Sequence, residues 1–435
     1  MKTAPGIPAW EGALCKLAEQ IFDLAYTPEQ PLKLGVIREG KTPPDQRVPL
    51  TPDQCVLLEE RFPQLKIAIQ SSPVRRIRDA EYSAAGLDVR ENVSDCDVLI
   101  GVKEVNVEDL VQGKTYLFFS HTHKLQPYNA KLLAAILDKK IRLIDYELLK
   151  RPSGRRIIGF GRWAGLVGAY SGLRAYGLRS GSFELPKAID CRDLEEMLAH
   201  VKSVTLPANF KIVLTGHGRV GQGAREVLDH MKLRSVHPDD FLRMDFPEPV
   251  FTHLDVEDYN ARTDGGAFSM DDFVTDPMEF ESTFPRYAYT ANLFIAGHFW
   301  AEGSPFLFTR EDMRHPDWKV NVVADISCDI DGPVACTLRP STIENPIYGY
   351  HPGTEQECTF DHREGITVLA VDNLPCELPR DASEGFGREL MEHVIPLLVE
   401  GDGDGILDGA SETTSEGELN APFAYLAEYV QSVQG

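Results

Sequence analysis

Two sets of residues in this chain have types and spacing suited to chemistry. The first is Gly216-His217-Gly218-Arg219-Val220-Gly221, which follows the apolar run Ile212-Val213-Leu214. It leads into a helical pattern with Val220, Ala224, Val227 and Leu228 on one side. Strand, glycine turn and helix, in that order, is the context in which G-x-G-x-x-G forms a dinucleotide site. Gly216 permits the tight turn, Gly218 lets the backbone approach a pyrophosphate, and Gly221 lets helix and strand pack closely. The helix start at Arg219-Val220 offers N–H groups and a positive dipole end to the phosphates. The second set closes a series of strand-like runs: Lys103-Glu104 after DVLIGVK, His121-Thr122-His123-Lys124 after TYLFFS, Glu147 at the end of RLIDYE, and Arg155-Arg156 after a Ser-Gly turn. In parallel sheets ligands bind outside the carboxyl ends of strands, which makes these candidate substrate residues. Taken one at a time, each also reads as an ordinary surface or structural group. A lysine acts as a base only when burial or neighbouring cations bring its pKa toward neutrality. A histidine titrates in that range unaided, and arginines hold carboxylates bidentately. His121-x-His123 has no third ligand at a telling spacing, so no metal is expected.

The elements that must position these residues follow from periodicity. Residues 1–30 read as an N-terminal helical extension, with Leu14, Leu17, Ile21 and Leu24 on one face and Thr27-Pro28 ending it. LKLGVI (32–37) reads as a first strand, and Thr51-Pro52 as the N-cap and first residue of a helix running through Leu58. Strands KIAIQ (66–70), DVLIGVK (97–103), TYLFFS (115–120) and RLIDYE (142–147) alternate with helical patterns, which implies a parallel, doubly wound sheet. Gly159–Leu178 is a long helix rich in small residues, with Gly165, Gly168 and Gly172 permitting close packing. An amphipathic helix, Cys191 to Val201, precedes the nucleotide strand, and residues 236–288 read as a long, irregular acidic insert. Strands at 292–297, 320–329 and 367–372 follow, and a helix from Pro379 carries the chain back. The expected fold is α/β, with two Rossmann-like doubly wound domains. A dinucleotide-binding domain (161–376) is inserted into a discontinuous substrate domain (31–160 and 377–435).

Composition narrows the partners. The 435 residues suffice for two domains with real cores. The balance of 67 acidic against 44 basic residues, net charge −23, argues against nucleic acid or an anionic membrane as partner. No run approaches the roughly 18 apolar residues needed to span a bilayer. MKTAPGIPAW has no apolar segment of signal-peptide type. The eight cysteines are scattered without a C-x-x-C pair, and the expectation is reduced thiols in a cytoplasmic protein. The acidic loop Asp402–Asp408 lacks EF-hand spacing and reads as solvated.

Several blocks, in order, carry a resemblance: LFFSHTHKLQPYNAKLL, IDYELLKRPSGRRIIGFGRWAGLVGA, ADISCDIDGP, STIENPIY and VDNLPCELPRDAS. Over residues 32–435 the chain resembles the lysine-forming saccharopine dehydrogenases and the lysine–2-oxoglutarate reductase portion of the bifunctional lysine-degrading proteins. These share a superfamily of paired Rossmann-like domains with alanine dehydrogenase and the soluble transhydrogenase subunit. The resemblance implies that Lys103 and His121 are the catalytic pair and that Arg38 and Arg47 lie near substrate carboxylates. It implies that Glu147 tunes the site, that Asp329 and Asn373 flank the nicotinamide, and that Gly216, Gly218 and Gly221 form the pyrophosphate loop. Asp329 is counted with both the catalytic and the cofactor residues, and Glu104, Arg155 and Arg156 with the substrate residues. The basic set Arg38, Arg47, Arg155 and Arg156 favours a multiply carboxylated substrate. The implied reaction is saccharopine + NAD(P)⁺ + water giving lysine + 2-oxoglutarate + NAD(P)H. Two alternatives stand beside it: amination of a 2-oxo acid in the alanine dehydrogenase manner, and a non-catalytic, transhydrogenase-like nucleotide subunit. Asp239, about 20 positions beyond the glycines, is a candidate for the ribose hydroxyls and tips the cofactor toward NAD, while Arg219, Arg234 or Arg243 would serve the 2′-phosphate of NADP.

Overall fold

The computed structural model describes residues 31–42 and 44–433, so the expected extension over 1–30 lies outside the described residues. The chain divides into two compact units, Met1–Ile158 with Gly387–Gly435, and Gly159–Phe386. Both are α/β, each built on a largely parallel sheet.

In the first unit six strands lie in the order β3-β2-β1-β4-β5-β6. They are β1 (Leu32–Val36), β2 (Leu65–Gln70), β3 (Asp88–Arg90), β4 (Val98–Ile100), β5 (Thr115–Phe118) and β6 (Arg142–Asp145). Every pairing is parallel. The order reverses at β1, whose neighbours are β2 on one side and β4 on the other, so the carboxyl ends of β1 and β4 flank a crevice. Helix α1 (Pro52–Arg61) runs one turn beyond the expected Leu58. It begins where Thr51 and Pro52 placed it, with the Thr51 N–H donating to the Gln54 side chain at 3.0 Å. Helix α2 (Ala130–Asp138) covers the sheet with Leu132 and Ile136, while Leu133 packs against Phe423, Leu426 and Val430 of the closing segment. The loop at 402–408 is self-capped, with Asp402 accepting the N–H groups of Ile406 and Asp408.

The second unit opens with helix α3 (Gly161–Ser180) and carries an eight-stranded sheet in the order β15-β14-β16-β13-β12-β7-β9-β8. Its strands are β7 (Lys211–Thr215), β8 (Arg234–Ser235), β9 (Val250–Leu254), β12 (Leu293–Ala296), β13 (Val322–Asp325), β14 (Ile347–His351), β15 (Gln356–Cys358) and β16 (Ile366–Leu369). A separate ribbon pairs β10 (Asn260–Arg262) with β11 (Phe280–Ser282). All five residues of β7 are buried. That includes Lys211, whose ammonium donates to the carbonyls of Phe241 and Met244. The expectation of an irregular insert over 236–288 is corrected here. Val250–Leu254 forms a full strand beside β7, paired in parallel over five positions. Phe246-Pro247-Glu248-Pro249 before it and the polar Thr252 and His253 within it masked the strand pattern.

Helix α3 and helix α4 (Arg219–His230) approach backbone to backbone, because a Cβ on Gly165 would lie 1.9 Å from the Val220 carbonyl and one on Gly223 would lie 2.1 Å from the Arg162 carbonyl. Neither contact can relax by rotating a side chain. Gly165→Ala is therefore expected to destabilise by about 1–3 kcal/mol, while Gly403→Ala, with open space around it, stays within about 0.5 kcal/mol. Denaturant unfolding of the two variants checks this.

Candidate active site and nucleotide turn

The sequence-predicted residues of the first unit gather at the carboxyl ends of β1, β4, β5 and β6. Glu39, just past β1, reaches across to β4 and accepts the N–H groups of Val102 and Lys103 at 2.7 and 2.9 Å. This fixes the turn from which Lys103 and Glu104 project. Burial and the charge of Asp45 push the Glu39 carboxyl up to about 8. Beside it Arg47 and Asp45 form a buried, two-pronged pair, Nε–Oδ1 at 3.0 Å and Nη2–Oδ2 at 2.6 Å. Against the upward push of burial, Arg47 holds Asp45 well below the usual carboxylate range. Lys103 is drawn down from the ordinary lysine value, first by burial and then by the charges of Arg47 and Lys41. This is the environment a base of lysine type requires.

Glu104 is 8% exposed and bridges two partners. Its Oε1 lies 2.7 Å from His121 Nδ1 and its Oε2 accepts from Lys41 Nζ at 3.0 Å. Burial opposes ionisation, but the His121 contact outweighs it and holds Glu104 down at about 2. A carboxylate against Nδ1 selects the tautomer with the proton on that nitrogen and leaves Nε2 to act on a ligand. His121 itself stands in the left-handed region, φ 55°, a conformation side chains rarely adopt and one that clusters at functional sites. Its N–H donates to Asp145 Oδ2 at 3.2 Å.

Glu147, on the turn after β6, is gripped by Lys124 at 2.7 Å and Arg156 at 2.5 Å. Burial raises it, but these cations prevail and it is held at about 2. Arg155 stands exposed on the hairpin turn, its carbonyl accepting from the Arg151 N–H. Arg38 turns to the exposed Glu91 at 3.5 Å, outside the Lys103–His121 cluster. Lys124, at the end of the strand-closing run His121–Lys124, and Lys41, which the sequence reading did not single out, supply further cations. Lys41 was visible three residues past Arg38.

His123, without His121, comes together with Asp145 and Glu412, their donor atoms lying within 4.8 Å of one another, a grouping that sequence spacing did not reveal. The carboxylate oxygens are already engaged. Asp145 accepts from the N–H groups of Ser120, His121 and Glu147 and from Ser120 Oγ, and the Glu412 carboxyl lies 2.7 Å from Thr122 Oγ1 and 3.0 Å from Ser120 Oγ.

In the second unit β7 ends in Gly216, φ 90°. A Cβ there would lie 2.5 Å from the Gly297 carbonyl, and one on Gly221 would lie 1.6 Å from the Gly216 carbonyl. Gly218 has nothing within 4 Å of the Cβ position, so the space in front of the α4 N-terminus is open. Arg219 and Val220 begin that helix. A cradle of this form fits a dinucleotide pyrophosphate. His253 Nε2 lies 2.7 Å from the Gly216 carbonyl and must donate to it, and its ring stacks on His217 at 3.9 Å. Burial brings His253 down to about 4, so the bond is made by a neutral ring. At the end of β13, Asp325 is buried among Ser327, Thr337 and the Cys328 N–H, and burial pushes it up to about 6. Asp329 is half-buried just beyond Cys328, itself at φ 54°. Asn373 heads the short turn Leu374–Glu377, its carbonyl accepting from Cys376 at 2.9 Å. Asp239 is corrected. It lies in the first turn of helix α5 (Pro238–Arg243), past the two-residue edge strand β8, and faces Arg243. The acid at the carboxyl end of the strand beside β7 is Asp255, 39 residues past Gly216 rather than about 20. Recognising β9 from sequence would have found it.

Residues 35–167 match the family model "Alanine dehydrogenase/PNT, N-terminal domain". Over 416 residues the chain is 30% identical to the mitochondrial alpha-aminoadipic semialdehyde synthase of Mus musculus, covering 84% of this chain and 44% of that protein, so it spans less than half the length of that relative. It is 26% identical over 388 residues to the NAD(+), L-lysine-forming saccharopine dehydrogenase of Schizosaccharomyces pombe, covering 83% of this chain and 92% of that enzyme. A solved L-alanine dehydrogenase shares the fold, with a TM-score of 0.62 at 16% identity over 92% of this chain and 99% of that one. Residues 35–167 are thus similar to the N-terminal domain of alanine dehydrogenase/PNT proteins, and the chain as a whole is similar to saccharopine dehydrogenases and aminoadipic semialdehyde synthases.

Proposed function

We propose that this chain is a nicotinamide-dependent oxidoreductase acting on a CH–NH group, and that its reaction is saccharopine + NAD(P)⁺ + water giving lysine + 2-oxoglutarate + NAD(P)H. The observation that carries this is the placement of Lys103, lowered by burial and by Arg47 and Lys41, alongside a Glu104–His121 pair at neighbouring strand ends. The family resemblance and the relatives' names support it. The nicotinamide, when bound, supplies hydride acceptance. Neutral Lys103 takes the proton from the secondary amine as the imine forms. His121, its Nδ1 proton held by Glu104, uses Nε2 to deprotonate the attacking water and later returns a proton to the departing amine. The cations Lys124 and Arg156 match a substrate with several carboxylates better than they match pyruvate.

The test is loss of reduced-nicotinamide absorbance with NADH or NADPH, each given lysine plus 2-oxoglutarate and, separately, pyruvate plus ammonia. Turnover with lysine and 2-oxoglutarate is expected. Turnover only with pyruvate and ammonia would replace the saccharopine reading by the alanine dehydrogenase one. Silence in every pairing with nucleotide still bound would favour a nucleotide-binding subunit.

Lys103→Met is expected to lower turnover by roughly 10²–10⁴-fold with nucleotide affinity unchanged. In the wild type, saccharopine oxidation should decline as pH falls through the lowered Lys103 pKa, because only the unprotonated amine accepts a proton. Unaltered turnover in the Met variant would remove Lys103 from its role.

NADH is expected to be preferred to NADPH, since the Asp255 carboxylate suits ribose hydroxyls and repels a 2′-phosphate. Of the alternative cations, Arg234 pairs with Glu248 and Arg243 with Asp239. Asp255→Ala should raise KM for NADH and narrow the ratio of kcat/KM between the two. A wild-type preference for NADPH would refute the assignment.

A further inference from the structure

Beneath His121 lies a closed polar cluster with no exposed member: Ser120, Thr122, Asp145 and Glu412 are each 0% exposed. Two buried carboxylates share it, and among the described residues no lysine or arginine ion pair reaches either. Three short oxygen–oxygen contacts link them in a row. Asp145 Oδ2 to Ser120 Oγ is 2.5 Å, Ser120 Oγ to Thr122 Oγ1 is 2.6 Å, and Thr122 Oγ1 to Glu412 Oε2 is 2.7 Å. Each contact of that length needs a proton between its oxygens. The two hydroxyls supply two. Were Glu412 ionised, one contact would press lone pairs together in a medium where such repulsion is strong. One more proton completes the row. Asp145 cannot be its place, because its Oδ2 already accepts the Ser120 and His121 N–H groups and its Oδ1 accepts Glu147 N–H, all bonds that favour the ionised form.

We propose that Glu412 is carried as the neutral carboxylic acid and serves as a positioning residue for His121. Its Oε2–H donates to Thr122, Thr122 donates to Ser120, and Ser120 donates to the Asp145 carboxylate that holds the His121 backbone in its left-handed turn. The remaining Ser120–Glu412 contact, 3.0 Å to Oε1, is the longest of the set and is the one left without a proton. The other titratable groups facing Glu412 are His123, whose Nδ1 is 3.9 Å from Oε1 and 3.6 Å from Asp145 Oδ2, beyond donating distance, and the phenols of Tyr425 and Tyr429 in the closing segment. Burial, then the charge of Asp145, pushes Glu412 up to about 7. With the folded-state value raised above the unfolded one, the stabilisation is complete below the unfolded value and is lost as pH rises through about 7.

The experiment compares thermal midpoints and kcat of the full chain with those of Glu412→Gln and Glu412→Ala across neutral and mildly alkaline pH. A glutamine amide donates to Thr122 at every pH. Its midpoint should therefore draw ahead of the wild type as pH rises past about 7, and the alkaline decline in wild-type kcat should flatten. Glu412→Ala, with neither donor nor acceptor, should lower kcat by roughly 10- to 100-fold at all pH values. A wild-type-to-Gln difference that is constant with pH would overturn the proposal, as would a Gln variant less stable than wild type throughout. The kinetic arm rests on the reading of His121 as acid–base. The thermal arm needs no substrate, so failure of that reading leaves the thermal arm to decide.

Discussion

The site depends on one buried carboxylate. Asp145 closes β6 with no exposure and takes its donors from the backbone of Ser120, His121 and Glu147. An ionised group in such a place is tolerable only when its oxygens are saturated. The groups that saturate it are the N–H groups of two functional segments, the one bearing His121 and the one bearing Glu147. Satisfying a charge and aiming two side chains are therefore a single arrangement. Glu39, past the end of β1, uses both oxygens in a similar way on the N–H groups of Val102 and Lys103, though burial draws it toward the neutral acid. Parallel strands end in unpaired N–H groups, and in this unit acidic side chains take the place that a further turn of structure would occupy.

Around those anchors the charges are placed so that neighbours push each other apart in pKa. Arg47 lowers both Asp45 and Lys103, stabilising an anion and destabilising a cation. Burial draws Glu39 and Glu412 toward the acid, while their partners, cations or a histidine, hold Glu104 and Glu147 as carboxylates. The division follows from which of them touches a cation.

Much of this was legible in sequence. The alternation of short apolar runs with helical patterns gave the parallel sheets, and the carboxyl-end rule then pointed to Lys103, His121 and Glu147 without any coordinates. The nucleotide turn was legible because steric demands of the kind seen at Gly216 and Gly221 leave no other residue possible. What escaped was whatever depends on pairing across long separations. β9 is five residues long with a threonine and a histidine inside it, and its strand character comes from lying against β7 rather than from its own pattern. Asp255 was lost with it, and Asp239 took its place by spacing alone. Glu412 sits in a loop of serine, threonine and glycine that carries no periodicity. Arg38 has the right residue type in the right motif, yet an exposed carboxylate on the β3 side claims it.

The bonds from Ser120 and Thr122 to Glu412 span 292 and 290 residues of chain. In a chain made from its N-terminus, the strands that carry His121 and Glu147 emerge long before the acid that closes the cluster beneath them. The whole of 159–386 is synthesised in the interval. The first unit is thus left with an incomplete polar core during the time in which the inserted unit, whose contacts are internal to its own stretch, is free to fold. Contacts of such sequence separation are slow to form and expose unfinished surface while they wait. The cluster beneath His121 is in this sense among the last parts of the molecule to be completed, and a ribosome-bound chain that already holds its glycine turn has no means of doing the proposed chemistry.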